Sequence, residues 1–236
     1  MLKLRAFMVT NAVPKPIAVP KSASDRFFFS GMAIGMALVV FIGFARTYYL
    51  SAYFGTHGTI GGRPFSPIVR VHAMLFTTWV LLFVAQTSLV ATHRVAIHRR
   101  LGVAVGVVAA MMIVVGTATA RDLARGGGAP AGIDPRAFLA VPLGDMAVFF
   151  VLVATALCLR RKKEAHKRLM LLAFTAILAA AVVRIPGVMP LGLLWAFGLT
   201  FIPVLALCRH LRPDDPPSRS SSVLVGRCAA DSVRAT

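Results

Sequence analysis

The sequence contains few acidic residues and few cysteines. Only 8 of its 236 residues are Asp or Glu, against 26 Lys and Arg. So few carboxylates argue against a hydrolase that holds divalent metal ions between paired acids. The cysteines, Cys158, Cys208 and Cys228, show neither CxxC pairing nor the spacing of zinc ligands. Phosphate-binding, dinucleotide-binding, metalloprotease and serine-hydrolase motifs do not occur. These absences do not rule out an enzyme, but they favour a non-enzymatic protein.

Charged residues are scarce overall. They make up 14% of the chain, whereas hydrophobic residues make up 58% and the mean hydropathy is +0.78. A soluble domain cannot hide so much apolar surface, but a lipid-facing protein does not need to. The net charge of +18 would suggest nucleic acid in a soluble protein. Here the basic residues lie between long apolar runs, so we predict no nucleic-acid partner and expect contact with anionic lipid headgroups.

Six apolar runs are long enough to cross a bilayer, which requires about 20 residues each. They are residues 27–45, 67–91, 101–120, 137–159, 169–185 and 187–208. Only Pro186, Gly187 and Pro190 interrupt the last two, which form a tight hairpin unless one of them is re-entrant. The predicted fold class is all-α, an integral membrane bundle of about six transmembrane helices over residues 27–208.

The basic residues also indicate the orientation of the chain. When the loops are assigned to alternate sides, 19 of the 26 Lys and Arg residues fall on the side of the two termini. Because Lys and Arg collect on the cytoplasmic side, this asymmetry predicts that both termini are cytoplasmic. Residues 1–26 and 209–236 are rich in proline and polar or basic residues, and we predict that both are flexible cytoplasmic tails.

Asp145 is the only acidic residue inside a predicted span. A carboxylate there is costly unless it is paired, protonated or solvated, so it is a candidate functional residue. Counting helix rise from the inner basic residues Arg160 and Arg168 places Asp145 and Arg184 at a similar height, roughly 23 Å from the inner border. We therefore predict an ion pair between them, with either a structural or a ligand-binding role.

The second span has the most regular pattern. One face carries a polar and aromatic stripe: His72, Trp79, Phe83 and Gln86. Such a stripe suits an elongated, partly apolar ligand, for example a quinone, a lipid or the edge of a haem. In the alternative interpretation, the polar groups bond to neighbouring helices and the aromatic rings pack.

Histidine pairs bear on haem binding, because two axial histidines must lie at one depth on facing helices. His98 and His166 satisfy the depth condition, since each stands at the inner start of a span. Both also lie among basic residues at the water boundary, where a solvated side chain needs no ligand. Nothing in the sequence requires a cofactor, and haem b is the candidate cofactor.

Short stretches of the chain resemble known membrane proteins. They are residues 71–76 (VHAMLF), Trp79, Gln86, residues 98–102 (HRRLG) and residues 166–170 (HKRLM). Across residues 27–208 the chain is similar to uncharacterised polytopic membrane proteins of bacteria, and more weakly to small His-bearing families linked to haem proteins and respiratory-oxidase assembly. The resemblance implies a multi-pass protein of the bacterial inner membrane. Unlike two-haem cytochromes, the chain lacks paired histidines at mid-membrane depth.

The leading hypothesis is a non-enzymatic membrane protein, either a binding or assembly factor or a subunit of a larger complex. It would hold a hydrophobic ligand or a partner helix along the patterned face of the second span. The first alternative is a haem b or quinone-linked electron carrier that uses His98 and His166, or His72 with an outer partner. The second is a small proton- or cation-coupled transporter in which Asp145 binds the ion.

Overall fold

The protein is a bundle of helices. A computed structural model describes residues 23–56, 59–60, 63–126, 134–188, 190 and 193–210. The helices are α1 (Ala23–Phe44, continued by a π-helical turn, Ala45–Tyr49), α2 (Pro67–Ala91), α3 (Val95–Arg125), α4 (Pro135–Phe138), α5 (Ala140–Cys158), α6 (Lys163–Val182), α7 (Leu193–Thr200) and α8 (Ile202–His210). Two-residue strands, β1 (Thr59–Ile60) and β2 (Arg63–Pro64), pair antiparallel between α1 and α2.

Five helical segments are long and apolar enough to cross a membrane. They are Phe27–Tyr49, Pro67–Ala91, Val95–Arg125, Pro135–Cys158 and Lys163–Val182. Large apolar side chains on their outer faces are exposed, among them Leu81 at 65% and Val103 at 72%. A continuous surface of this kind is stable against lipid rather than water. The predicted all-α integral membrane bundle is confirmed.

The five long helices form a closed ring in the order α1, α2, α3, α5, α6. Each helix packs against the next, and α6 packs against α1. Gly43 lies where α6 meets α1, and its missing side chain lets the α1 backbone touch the backbone at Ala181. Close backbone approach at a small residue is a common way to join helices in lipid. The interior of the ring holds the largest fully buried side chains, including Trp79, Phe149 and Phe174.

The sixth predicted span is a broken helix. α7 follows the outer end of α6, and α8 ends at His210, whose ring stacks on Phe28 near the start of α1 with a centroid distance of 3.9 Å. The chain therefore returns from the outer to the inner end of the bundle, and residues 23 and 210 lie at the same end, as predicted. Pro203, near the start of α8, has no N–H to bond to the preceding turn, which accounts for the break.

Several helices extend beyond the predicted spans. α3 has 31 residues and begins at Val95, so His98 lies in its first turn rather than in a loop. α1 begins at Ala23 and α8 ends at His210, so residues 23–26 and 209–210 of the predicted tails are helical. The rest of both predicted tails, residues 1–22 and 211–236, lies outside the described residues.

Reporter fusions test the membrane orientation. A reporter that is active only in the periplasm should be inactive when fused after Thr236 and active when inserted after Gly126, between α3 and α4. The expected difference follows from the excess of basic residues on the side of the termini. Periplasmic activity at Thr236 would contradict the orientation.

Candidate functional site

The patterned face of α2 points into the ring. Trp79, Phe83 and Gln86 are 0%, 4% and 8% exposed. His72, nearer the outer end, is half-buried, and its ring lies against Phe76 with a centroid distance of 4.0 Å. The helical periodicity thus predicted the orientation of this face correctly, while ligand binding by its residues stays a prediction.

Four rings fill the centre of the bundle: Trp79, Phe83, Phe149 and Phe174, which together we call the aromatic layer. Trp79 lies 5.3 Å from each of Phe83, Phe149 and Phe174, measured between ring centroids. Phe83 lies 5.0 Å from Phe174, and three of these four contacts are edge to face, a favoured arrangement for aromatic pairs. At this depth the chain itself covers the face of α2.

The polar end of the stripe faces α3. A Cβ atom placed on Gly102 would lie 3.9 Å from the side-chain nitrogen of Gln86. His98 is four residues before Gly102 and therefore shares its helix face. The His98 ring lies within hydrogen-bonding reach of the Gln86 backbone and within electrostatic reach of the side chains of His166 and Arg99. We call Gln86, His98 and His166 the inner polar group.

A backbone contact fixes the orientation of His166. Its Nδ1 lies 2.8 Å from the carbonyl oxygen of Ala156. A carbonyl only accepts, so Nδ1 donates the hydrogen bond and Nε2 is the ring nitrogen left for another partner. The contact also ties the start of α6 to the end of α5. His98 and His166 thus lie within electrostatic reach of one another, while haem binding by this pair stays a prediction.

Two atoms of the inner polar group are buried without a hydrogen-bond partner. In the part of the chain that the structure describes, these are Oε1 of Gln86 and Nδ1 of His98. A buried polar atom with no partner costs about 1–3 kcal/mol, and nearly all such atoms in folded proteins have one. The two atoms therefore mark the inner polar group as a candidate ligand site.

Another set of buried polar atoms lies towards the outer end. A Cβ atom on Gly116 would lie 3.7 Å from Phe76, so Thr119 and His72, each about one turn further out, stand at a similar level. Nδ1 of His72 and Oγ1 of Thr119 are buried and have no partner among the described residues. His72 also lies within electrostatic reach of Arg184. Thr119 could not be selected from the sequence, because single threonines are common in apolar helices.

The predicted ion pair between Asp145 and Arg184 is wrong. No such pair occurs within residues 134–188, where both side chains are described. The Arg184 guanidinium instead donates to the carbonyl oxygen of Ala180 and lies 4.9 Å from the centre of the Phe44 ring. α6 ends at Val182, so Arg184 occupies the following turn and points towards α1, whereas Asp145 belongs to α5 on the other side of α6.

A metal site of the usual kind is absent from the described residues. No three or more His, Cys, Asp or Glu side chains lie together there in a way that could hold a metal ion. Two histidines are nevertheless enough for the axial positions of a haem iron, because the macrocycle supplies the other four ligands. Haem ligation by His98 and His166 therefore stays a prediction.

The fold and these buried groups define a multi-pass integral membrane protein with a polar group enclosed near its inner end. Comparisons with known protein families, curated proteins and solved structures find no match. The resemblance to bacterial membrane proteins and to His-bearing families consequently stays a prediction, and the residues themselves carry the functional argument.

Proposed function

We propose that the protein is a non-enzymatic membrane binding protein that holds a hydrophobic ligand by its polar head at the inner polar group. The observation that carries this proposal is the pair of buried atoms, Oε1 of Gln86 and Nδ1 of His98, that find no partner in the described chain. A ligand head that bonds to both would remove the cost of leaving them unsatisfied. The same two atoms would also hold the ligand if the protein were an assembly factor that passes this ligand to a larger complex.

The depth of the inner polar group suits an amphipathic ligand. Gln86 is 8% exposed, whereas Arg99 and Arg100, just after His98, are exposed at the basic inner border. A lipid-soluble molecule keeps its polar head near such a border, because burying that head in hydrocarbon without hydrogen bonds is costly. The ligand would reach the group from the inner leaflet without crossing the aromatic layer.

Replacing Gln86 by leucine tests the proposal. Leucine keeps most of the side-chain volume but cannot form hydrogen bonds, so the variant should retain about tenfold less ligand, which corresponds to about 1.4 kcal/mol. The measurement is mass spectrometry of organic extracts from detergent-purified protein.

Thr78→Val is the matched control, because Thr78 lies on the exposed face of the same helix and bonds only to the Met74 carbonyl. This variant should retain as much ligand as the wild type. Equal extracts from wild type and Gln86→Leu would refute the proposal.

A haem b electron carrier is the second candidate function, favoured by the bond between His166 and the Ala156 carbonyl. Haem-ligating histidines commonly fix one ring nitrogen in this way and present the other to the metal. His166 and His98 would supply the axial ligands, and the bound haem would supply one-electron transfer.

Protein purified after growth with added haem should then show a Soret band with resolved α and β bands when reduced. Replacing either His98 or His166 by leucine should shift these bands, because one axial ligand is lost. A flat visible spectrum of the wild type would remove this candidate without affecting the first.

A further inference from the structure

We infer that the ligand of the inner polar group is a quinone-type ring, held in both its oxidised and its reduced form. The inference rests on the proposed function and adds the chemical class of the ligand. It follows from the hydrogen-bonding character of the groups that line the site and from the aromatic layer beside it.

The hydrogen-bonding groups of the site can reverse their roles. A half-turn of the Gln86 amide exchanges its accepting oxygen for its donating nitrogen, and the His98 ring donates or accepts at Nδ1 according to its tautomer. Lysine and arginine only donate, and carboxylates only accept. The two carbonyl oxygens of a quinone accept hydrogen bonds, whereas the hydroxyls of the quinol also donate them. Reversible groups such as Gln86 and His98 therefore suit a ring that changes between these forms.

The two cations that follow His166 in α6 contact other side chains. Nζ of Lys167 lies 2.9 Å from Oε2 of Glu164 and 4.4 Å from the centre of the Phe29 ring. Nη2 of Arg168 lies 3.6 Å from the same Glu164 oxygen. Nε of Arg168 is buried without a hydrogen-bond partner among the described residues. An anionic head, such as that of a phospholipid or fatty acid, is therefore the competing ligand class, and phosphatidic acid represents it in the test below.

The aromatic layer closes the outer side of the site. Phe83 lies one turn outward from Gln86, and its ring packs edge to face on Phe174. A flat, electron-poor quinone ring packs well against electron-rich aromatic rings, because the two charge distributions are complementary. Trp79 belongs to the same layer, about two turns from Gln86, and can report on the bound ring.

Fluorescence of Trp79 provides the test. The chain has two tryptophans, so replacing the 66%-exposed Trp195 by phenylalanine leaves Trp79 as the single emitter. Quinones quench nearby indoles, so a short-chain benzoquinone titrated into the purified protein should quench Trp79 saturably. The corresponding quinol should compete for the site, and phosphatidic acid should not.

Gln86→Leu, in the same Trp195→Phe background, should raise the quinone concentration at half-quenching about tenfold. Thr78→Val should leave that concentration unchanged. Linear quenching that is identical in all three proteins, or competition by phosphatidic acid but not by quinol, would overturn the quinone inference. If extracts of the wild type still contained another compound that Gln86→Leu lost, the proposed function would stand while this inference fell.

Discussion

Replacing Trp79 by alanine is expected to lower the free energy of unfolding by about 3–5 kcal/mol. The indole is 0% exposed and contacts three other rings of the aromatic layer. Because lipid is as apolar as the interior of the bundle, the loss comes from the dispersion contacts that an empty cavity cannot replace. Thermal unfolding in detergent measures the change.

Trp195→Ala is the control for this experiment, because it removes the same side chain from a position that is 66% exposed. A lipid-facing tryptophan leaves no cavity, so the expected change is within about 0.5 kcal/mol. Equal losses for the two variants would show that the aromatic layer is not a packed core.

Replacing Gly43 by alanine should be almost as damaging. The added methyl group would overlap the carbonyl oxygen of Ala181 and lie 2.8 Å from its carbonyl carbon. Both atoms belong to the α6 backbone, which moves only if the two helices separate. We expect a loss of about 3 kcal/mol, the upper end for overpacking, in the same unfolding measurement.

Substitutions of two other glycines are the controls for Gly43→Ala. Gly35 on α1 is exposed and has nothing within 4 Å of an added Cβ atom, so Gly35→Ala should gain up to about 1 kcal/mol from better helix propensity. Gly116→Ala should fall between the two, because the atom in its way is the flexible Met146 sulfur at 2.7 Å. Three equal effects would mean that the contact between α1 and α6 is not tight.

The transmembrane fold could be predicted because its main signals are found by following the sequence from one end to the other. Apolar length locates the spans, and the uneven distribution of Lys and Arg places both termini on one side. The break between α7 and α8 was harder to locate. Pro203 lies inside an apolar run that is long enough to cross a bilayer. A hydropathy profile measures only how apolar the side chains are, so it does not detect that proline lacks the N–H needed to continue a helix.

The candidate site was predictable only in part. Helical periodicity identified the inward face with Trp79 and Gln86, because one helix fixes the relative directions of its own side chains. The pairing of Asp145 with Arg184 failed because depth was estimated without knowing which way each helix is turned. Two further parts of the site could not be found from the sequence. The Ala156 carbonyl is a backbone group of the kind that every residue carries, and Gln86 can approach α3 at Gly102 because glycine has no side chain.

The aromatic layer also has an electrical consequence. It separates the buried polar atoms of Gln86 and His98 from those of His72 and Thr119. Protons cross membrane proteins along chains of water and titratable groups, and a layer of close-packed rings interrupts such a chain. A potential of 100 mV is worth about 2.3 kcal/mol for each charge that crosses. We therefore expect the layer to act as an insulator, so that lipid vesicles containing the protein hold an imposed voltage as long as vesicles without it.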